Sequence, residues 1–413
     1  MDSTVLLHWL ASSSAQRQAG LTAVHIHHGL QTDADLWAQH CDDICKQFGV
    51  PYQCVRVEVT IAQAGGVEDA ARRARQGAFK RLLQKAHRLA LAHHQEDQAE
   101  TWLLRALRAS GVDGLSAMRQ ETGFGQGTLW RPFLDVSRAQ LQTYAQEHKL
   151  HWIEDPSNAD DHFHRNYLRQ HIFPRLRARW PQVSRQFARA AKLSSDASDL
   201  LRAEDQILLQ QLLNGQSFIS IAAWLQFSPA RRARLLRLWC IQNKTPPLPA
   251  NGITAIEDFV VKSPSDRQAS FCWGKVAIRR WRDALHIVVQ THRYPPGWNH
   301  SWNGLHALAL PVGGCLILKG PVRHSFPCPI SVRARQGGER FRLPGRTHSH
   351  ALKHLLQEAG TPPWVRQQLP LLYHNDALWA VGDIWIATPC IDWLYATQQT
   401  LLWIRPEQVM QTD

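Results

Sequence analysis

His93, Asp97 and Glu100 stand at i, i+4 and i+7 within residues 89–101. On a helix that spacing places all three on one face. A histidine and two carboxylates aimed at one place suit a cationic substrate and proton transfer. Two other uses compete. His94 and Glu96 can be solvated residues of a first helical turn, where acids offset the helix dipole. Histidine and carboxylates at i, i+4 can also chelate a metal, although there is no HExxH pattern.

These residues need elements to position them. Residues 88–92 are short and mostly apolar, as a buried parallel strand is. From 95 to about 110 the pattern turns helical, with Leu103, Leu104 and Leu107 apolar. His93 and His94 therefore fall where a strand hands over to a helix. In a doubly wound sheet that edge binds ligands. Upstream, residues 2–10 read as a helix with Asp2 or Ser3 near its N-cap, and 21–27 as a strand ending in His27-His28-Gly29-Leu30. A helix over 33–48, a strand over 52–57 and a helix over 67–85 follow. The last carries Glu68, Arg72, Arg73 and Arg75 in its first half. This alternation predicts an α/β fold with a doubly wound parallel sheet and right-handed crossovers. Beyond the central helix come a Gly-rich turn at 111–115, a strand at 129–133 and a helix at 137–148 capped by Ser137. A short strand from Trp152 then runs into an Asp155-Pro156 loop.

Residues 162–195 contain no acid but hold Arg165, Arg169, Arg175, Arg177, Arg179, Arg185, Arg189 and Lys192, with Tyr167, Phe173 and Trp180 among them. A basic run is usually a solvated face. The length of this one, and its lack of compensating acids, favour contact with RNA phosphates. The net charge of +13 also points to an anionic partner, most often nucleic acid. The 413 residues suffice for two or three domains, and no apolar run approaches a membrane span. Met1-Asp2 and the polar residues 12–18 do not read as a secretory leader, so the expectation is a cytoplasmic protein. Eight cysteines without a CxxC pair read as reduced thiols rather than a disulfide frame or zinc site. In the second half, helices are expected at 181–214 and 229–242 and strands within 268–290. A linker is expected at 294–304, followed by short strands, a basic Gly-rich stretch at 333–346 and a helix at 349–359.

Taken together, these motifs resemble the tRNA(Ile)-lysidine synthase family of the PP-loop ATP pyrophosphatase group. Residues 2–7 (DSTVLL) look like the second half of its SGGxDS loop, and 25–30 (HIHHGL) like its HxxHGL strand end. Residues 68–75 resemble its ExxAR-xxR helix, 92–101 its HHxxDQxET signature, and 165–169 (RNYLR) its RNxxR motif. Residues 338–344, 352–353 and 362–364 are similar to the C-terminal domain of its longer members. The resemblance covers nearly the whole chain.

It implies a nucleotide-binding and catalytic domain of PP-loop (adenine nucleotide alpha hydrolase-like) type over 1–180. A mainly helical middle domain over 181–300 and a small α+β domain over 305–413 would both bind tRNA. It further implies a two-step ligase that uses ATP, Mg2+ and L-lysine on isoleucine tRNA with a CAU anticodon, at no membrane. Asp2, His93, Arg72 and Arg75 would be catalytic, and Asp2, Ser3, His27 and His93 would bind ATP. Asp2 would reach Mg2+ through the phosphates. Asp97 and Glu100 would bind the lysine ammonium. Arg165, Arg169, Arg340, Arg342 and Lys353 would contact tRNA.

Two rivals remain open. One is another PP-loop tRNA-modifying enzyme such as a thiolase, against which the missing CxxC counts. The other is a non-catalytic tRNA-binding protein. The family loop has Ser-Gly-Gly ahead of Asp2, with Met1 at its variable position. The expectation is that in-frame codons upstream of Met1 encode Ser-Gly-Gly after an apolar strand.

Overall fold

The computed structural model describes residues 1–60, 66–154, 160–262, 269–289 and 292–405, which divide into a unit ending at Arg202 and a unit beginning at Ala203. The Glu68 side chain and residues 155–159, the expected Asp-Pro loop, lie outside the described part.

The first unit opens with α1 (Asp2–Ala11), α2 (Ser14–Gln18), β1 (Ala23–His27), α3 (Ala34–Phe48), β2 (Tyr52–Arg56) and α4 (Gly66–Leu82). Then come β3 (Arg88–Ala90), α5 (Gln95–Ala106), α6 (Val112–Leu115), β4 (Glu121–Phe124), β5 (Gly127–Trp130) and α7 (Arg138–Glu147). It continues through α8 (His164–Tyr167), a π-helical turn (Leu168–Ile172) and α9 (Phe173–Arg179) into the long α10 (Val183–Leu213). β1 pairs parallel with β2 and β3 parallel with β5, while β4 folds back antiparallel on β5.

Alternation along the strands explains why helices cover both faces. Leu89 and Leu91 pack with Val24, Ile26 and Val55 against Ala78 and Phe79 of α4. Their neighbours Ala90 and Ala92 face the other way, toward Val5, Leu6 and Leu10 of α1 and Leu141 and Ala145 of α7. Successive side chains of a strand point to opposite faces, so a strand apolar at every position is buried on both. The expected doubly wound parallel architecture is the one observed.

Several expectations are corrected. The strand placed at 129–133 ends at Trp130 and belongs to a β4–β5 hairpin that the glycines at 123, 125 and 127 had disguised as loop. A Cβ on Gly127 would run into the His87 carbonyl, so glycine lets β5 lie against the turn before β3. The Gly-rich turn at 111–115 is the one-turn helix α6. The α1 N-cap is Met1 rather than Asp2 or Ser3, and residues 151–154 form no strand.

In the second unit, β6 (Phe218–Ser220), α11 (Ile221–Leu225), α12 (Pro229–Gln242), α13 (Ala250–Lys262), β7 (Ser270–Trp273), β8 (Val276–Trp281) and β9 (Ala284–Val289) share a core around Trp224, Trp239 and Ile256. Their strands form an antiparallel sheet ordered β6-β9-β8-β7. Next in order are β10 (Asn299–Trp302), β11 (Leu308–Ala309), β12 (Cys315–Lys319), β13 (Ile330–Ala334), β14 (Arg340–Phe341), β15 (His350–Ala351), α14 (Leu352–Glu358) and α15 (Pro363–Gln368). The unit closes with β16 (Pro370–His374), β17 (Ala377–Val381), β18 (Trp385–Ile386), α16 (Thr388–Ala396) and β19 (Thr400–Ile404). These build sheets ordered β10-β13-β16-β17-β18, β11-β12-β19 and β14-β15 around a separate core. The expected linker at 294–304 therefore contains a strand, held because β10 pairs with β13 and buries Trp302.

Candidate active site

The carboxyl ends of the parallel strands converge on one edge of the first unit. β1 ends at His27, β3 leads through Leu91 and Ala92 to His93, and β5 hands over directly to Arg131. His94 is the N-cap of α5. Its Nδ1 lies 3.2 Å from the Glu96 amide and 3.0 Å from Glu96 Oε2. A neutral ring accepts there from the amide; a protonated ring donates to the carboxylate. Asp97 Oδ2 closes the capping box by accepting from the His94 amide at 3.0 Å. These bonds fix where α5 starts, and so fix the face that carries Asp97 and Glu100.

α8 and the π-helical turn lie across that face. Arg169 donates from both Nε and a terminal nitrogen to the two Glu100 oxygens, each at 2.9 Å, and comes within 3.4 Å of Asp97 Oδ1. Arg165 donates to Thr101 Oγ1 at 2.7 Å. Burial pushes the Glu100 carboxyl above its usual range against the pull of Arg169; the bidentate geometry nonetheless makes the two an ion pair.

The adjacent histidines are driven apart. Burial lowers His93 to about 4, assisted by the charges of Arg131, Arg165 and Arg75 and opposed by Asp97. Burial also weighs against charge on His94. There, however, the Glu96 hydrogen bond and the charges of Asp97, Asp2 and Glu96 win and raise its pKa. At neutral pH His93 is thus an uncharged ring, while His94 holds a proton more readily than an ordinary histidine. Divergent neighbours of this kind are a mark of functional sites.

A cationic cluster adjoins this acidic face. Repulsion from Arg72 lowers Arg75, Arg105 and Arg131 alike, in each case after burial as the first cause. His28 is also lowered, by burial and then by Arg75, and its buried Nδ1 has no partner among the described residues. So many guanidinium groups held together describe a place for anionic oxygens.

The other expected residues fall as follows. Asp2 lies in the first turn of α1, with Oδ2 3.8 Å from His94 Nε2 and Oδ1 buried without a hydrogen-bond partner among the described residues. Ser3 is exposed beside it, and His27 is buried with Nε2 3.1 Å from Asp35 Oδ1. Arg340, Arg342 and Lys353 lie in the second unit; all three are exposed, and Arg340 is bonded to Ser349 Oγ at 3.0 Å. Sequence reasoning missed Arg131, which was placed inside a strand, and missed the carboxylates gathered on His94. The signal for Arg131 was its place immediately after an apolar strand. Among the described residues, the cluster with metal-ligand spacing is the exposed Asp160, Asp161 and His162, just ahead of Arg165 in the chain.

The chain matches the PP-loop domain family over residues 1–176, the TilS substrate binding domain over 219–286 and the TilS substrate C-terminal domain over 330–401. It is 49% identical over 403 residues to the tRNA(Ile)-lysidine synthase of Xanthomonas campestris pv. campestris strain 8004, covering 98% of this chain and 93% of that one. It is 50% identical over 406 residues to the tRNA(Ile)-lysidine synthase of Xylella fastidiosa strain Temecula1, with the same coverage. The tRNA(Ile)-lysidine synthase of Methylococcus capsulatus is 34% identical over 406 residues, covering 94% of this chain and 90% of that one.

Proposed function

The chain belongs to the tRNA(Ile)-lysidine synthase family, and from that premise we propose that it uses ATP to join L-lysine to carbon 2 of the wobble cytidine of isoleucine tRNA with a CAU anticodon. In the first step the carbon-2 oxygen attacks the α-phosphate of ATP, and pyrophosphate leaves. In the second the lysine ε-amine attacks carbon 2, and the oxygen departs with AMP. The observation that carries this reading is the pairing, at one sheet edge, of an acidic helix face with a cluster of arginines. The reaction needs both, a cradle for a cation beside a cradle for phosphates.

The roles follow from position. Asp97 and Glu100 receive the lysine ammonium. Arg72 and Arg75 face the phosphates and steady the leaving pyrophosphate or AMP. Asp2, Ser3 and His27 lie toward ATP, at the start of α1 and the end of β1. His93 meets charge developing at the α-phosphate. Arg165 and Arg169, with Arg340, Arg342 and Lys353 of the second unit, contact tRNA. Asp2 fits Mg2+, because its unpartnered buried oxygen supplies the single carboxylate that an ion held mainly by phosphates requires. When bound, Mg2+ neutralises phosphate charge. A tRNA substrate places the protein in the cytoplasm, and no helix among the described residues is long and apolar enough to cross a membrane.

Pyrophosphate exchange into ATP, followed by radiolabelled lysine incorporation, tests the reading. Exchange should depend on unmodified isoleucine tRNA, and incorporation on lysine. Tight tRNA binding with neither activity would make the chain a binder and overturn the assignment.

A further inference from the structure

Arg131 stands first after β5, where the chain leaves the sheet beside His93. Its Nε–H points at His93 Nδ1 across 3.2 Å, and a terminal nitrogen donates to the Arg119 carbonyl at 2.8 Å. The second bond holds the guanidinium in place for the first. A guanidinium has donors only and does not lose its charge in a protein. The nitrogen it addresses must therefore present a lone pair, and in a neutral imidazole the proton then sits on Nε2. Among the described residues the hydrogen bond of the ring is at Nδ1, which leaves Nε2 for an incoming acceptor.

We infer that Arg131 is a positioning residue: its Nε–H locks His93 in the Nε2–H tautomer, so that His93 acts as a neutral hydrogen-bond donor to phosphate oxygen and not as a general base. The clause about phosphate rests on the function proposed above; the clause about the tautomer does not. The charged groups that face His93 are Asp97 of α5, Arg131, Arg165 of α8 and Arg75 of α4. Burial keeps the ring neutral, and three of these four groups are cations that assist it against Asp97. The usual assignment for an active-site histidine would be proton transfer, which needs a pKa near the working pH. His93, lowered to about 4, is far from that, but a neutral donor needs no titration.

The test uses the full chain with nitrogen-15-labelled histidine. Long-range proton–nitrogen correlation at pH 7 should show His93 with Nε2 protonated and Nδ1 bare, before any substrate is added. Arg131→Met should let the ring relax toward a mixture of tautomers. Arg131→Lys, which still donates, should restore much of the original signature. In turnover, Arg131→Met should lower kcat by about 10²-fold, the loss of one donor to developing charge, with KM for lysine unchanged. His93 should stay neutral through the ordinary histidine range in Arg131→Met as in the parent, because burial is the first cause of its lowered pKa. A parent His93 protonated at Nδ1, or a folded Arg131→Met with an unchanged tautomer, overturns the inference. If Arg131→Met fails to fold, the parent spectrum and Arg131→Lys still decide it. The predicted tautomer in a parent that forms no lysidine supports the lock and overturns the proposed function instead.

Discussion

The pKa values of the neighbours His93 and His94 move in opposite directions because their surroundings differ: burial, assisted by arginines, outweighs Asp97 at the first, whereas a hydrogen bond to Glu96 and nearby carboxylates outweigh burial at the second. The sign of the stability effect follows. The folded pKa of His94 is raised, so its contribution is fully present below the unfolded value of 6.5 and fades as pH rises through the folded value. His93 is lowered; its contribution is present above 6.5 and is lost as pH falls toward about 4. His94→Gln should therefore be most destabilising at pH 5–6, relative to the parent, and the gap should narrow by pH 8–9. Urea midpoints across that range measure it. Asp97→Asn should raise KM for lysine by on the order of tenfold or more while largely sparing pyrophosphate exchange, since one charged partner of the ammonium is lost. Equal losses in both assays would remove Asp97 from lysine recognition. The i, i+4, i+7 spacing made this acidic face readable. Arg131 was harder to read, because its signal is its place just after a strand, and strand ends are poorly marked in sequence.

Elements were legible where both faces demanded the same thing. The run from Leu89 to Ala92 must be apolar throughout because α4 covers one side and α1 with α7 the other. The β4–β5 hairpin was hidden because Gly127 serves close packing and Gly125 the left-handed turn, rather than strand propensity. β10 was hidden because its partner β13 lies about thirty residues on. Polar locks between helices were equally silent. Asp205 of α10, buried, takes Arg231 Nη1 at 2.6 Å and Arg234 Nε at 2.7 Å from α12. Asp205→Asn removes the charge that the two guanidinium groups share, while Arg231 keeps its bond to Glu204 at 2.7 Å, and should cost about 1–3 kcal/mol. A denaturation midpoint within error of the parent would show the lock to be idle.

At the scale of the whole molecule, +13 is a statement about a polyanion. The acid-free 162–195 stretch forms α8, the π-helical turn, α9 and the start of α10. Its first arginines are turned inward onto α5, while Arg175, Arg179, Arg185 and Arg189 remain exposed. The track expected from composition is thus split between site and surface. If six or more phosphates are neutralised, tRNA affinity should fall by about 10³-fold between 50 and 200 mM salt. Filter binding at four salt concentrations measures the slope. A flat response would rule out phosphate contact as the basis of affinity.

The bidentate hold of Arg169 on Glu100 has a consequence for the order of events. On the proposed assignment, a lysine ammonium arriving at Glu100 would swap one cation for another, since Arg169 already holds both carboxylate oxygens. The desolvation of Glu100 is already done by folding, and the entering side chain works only against the guanidinium it displaces. On the same proposal, a displaced Arg169 would be freed for the anionic reactants, and occupancy by the amino acid would be linked to grip on the phosphates. Guanidinium ion, a loose copy of the resident group, should then compete with lysine at concentrations that leave the fold intact. Arginine at the same concentration should compete as well, whereas norleucine, which lacks the charge, should not.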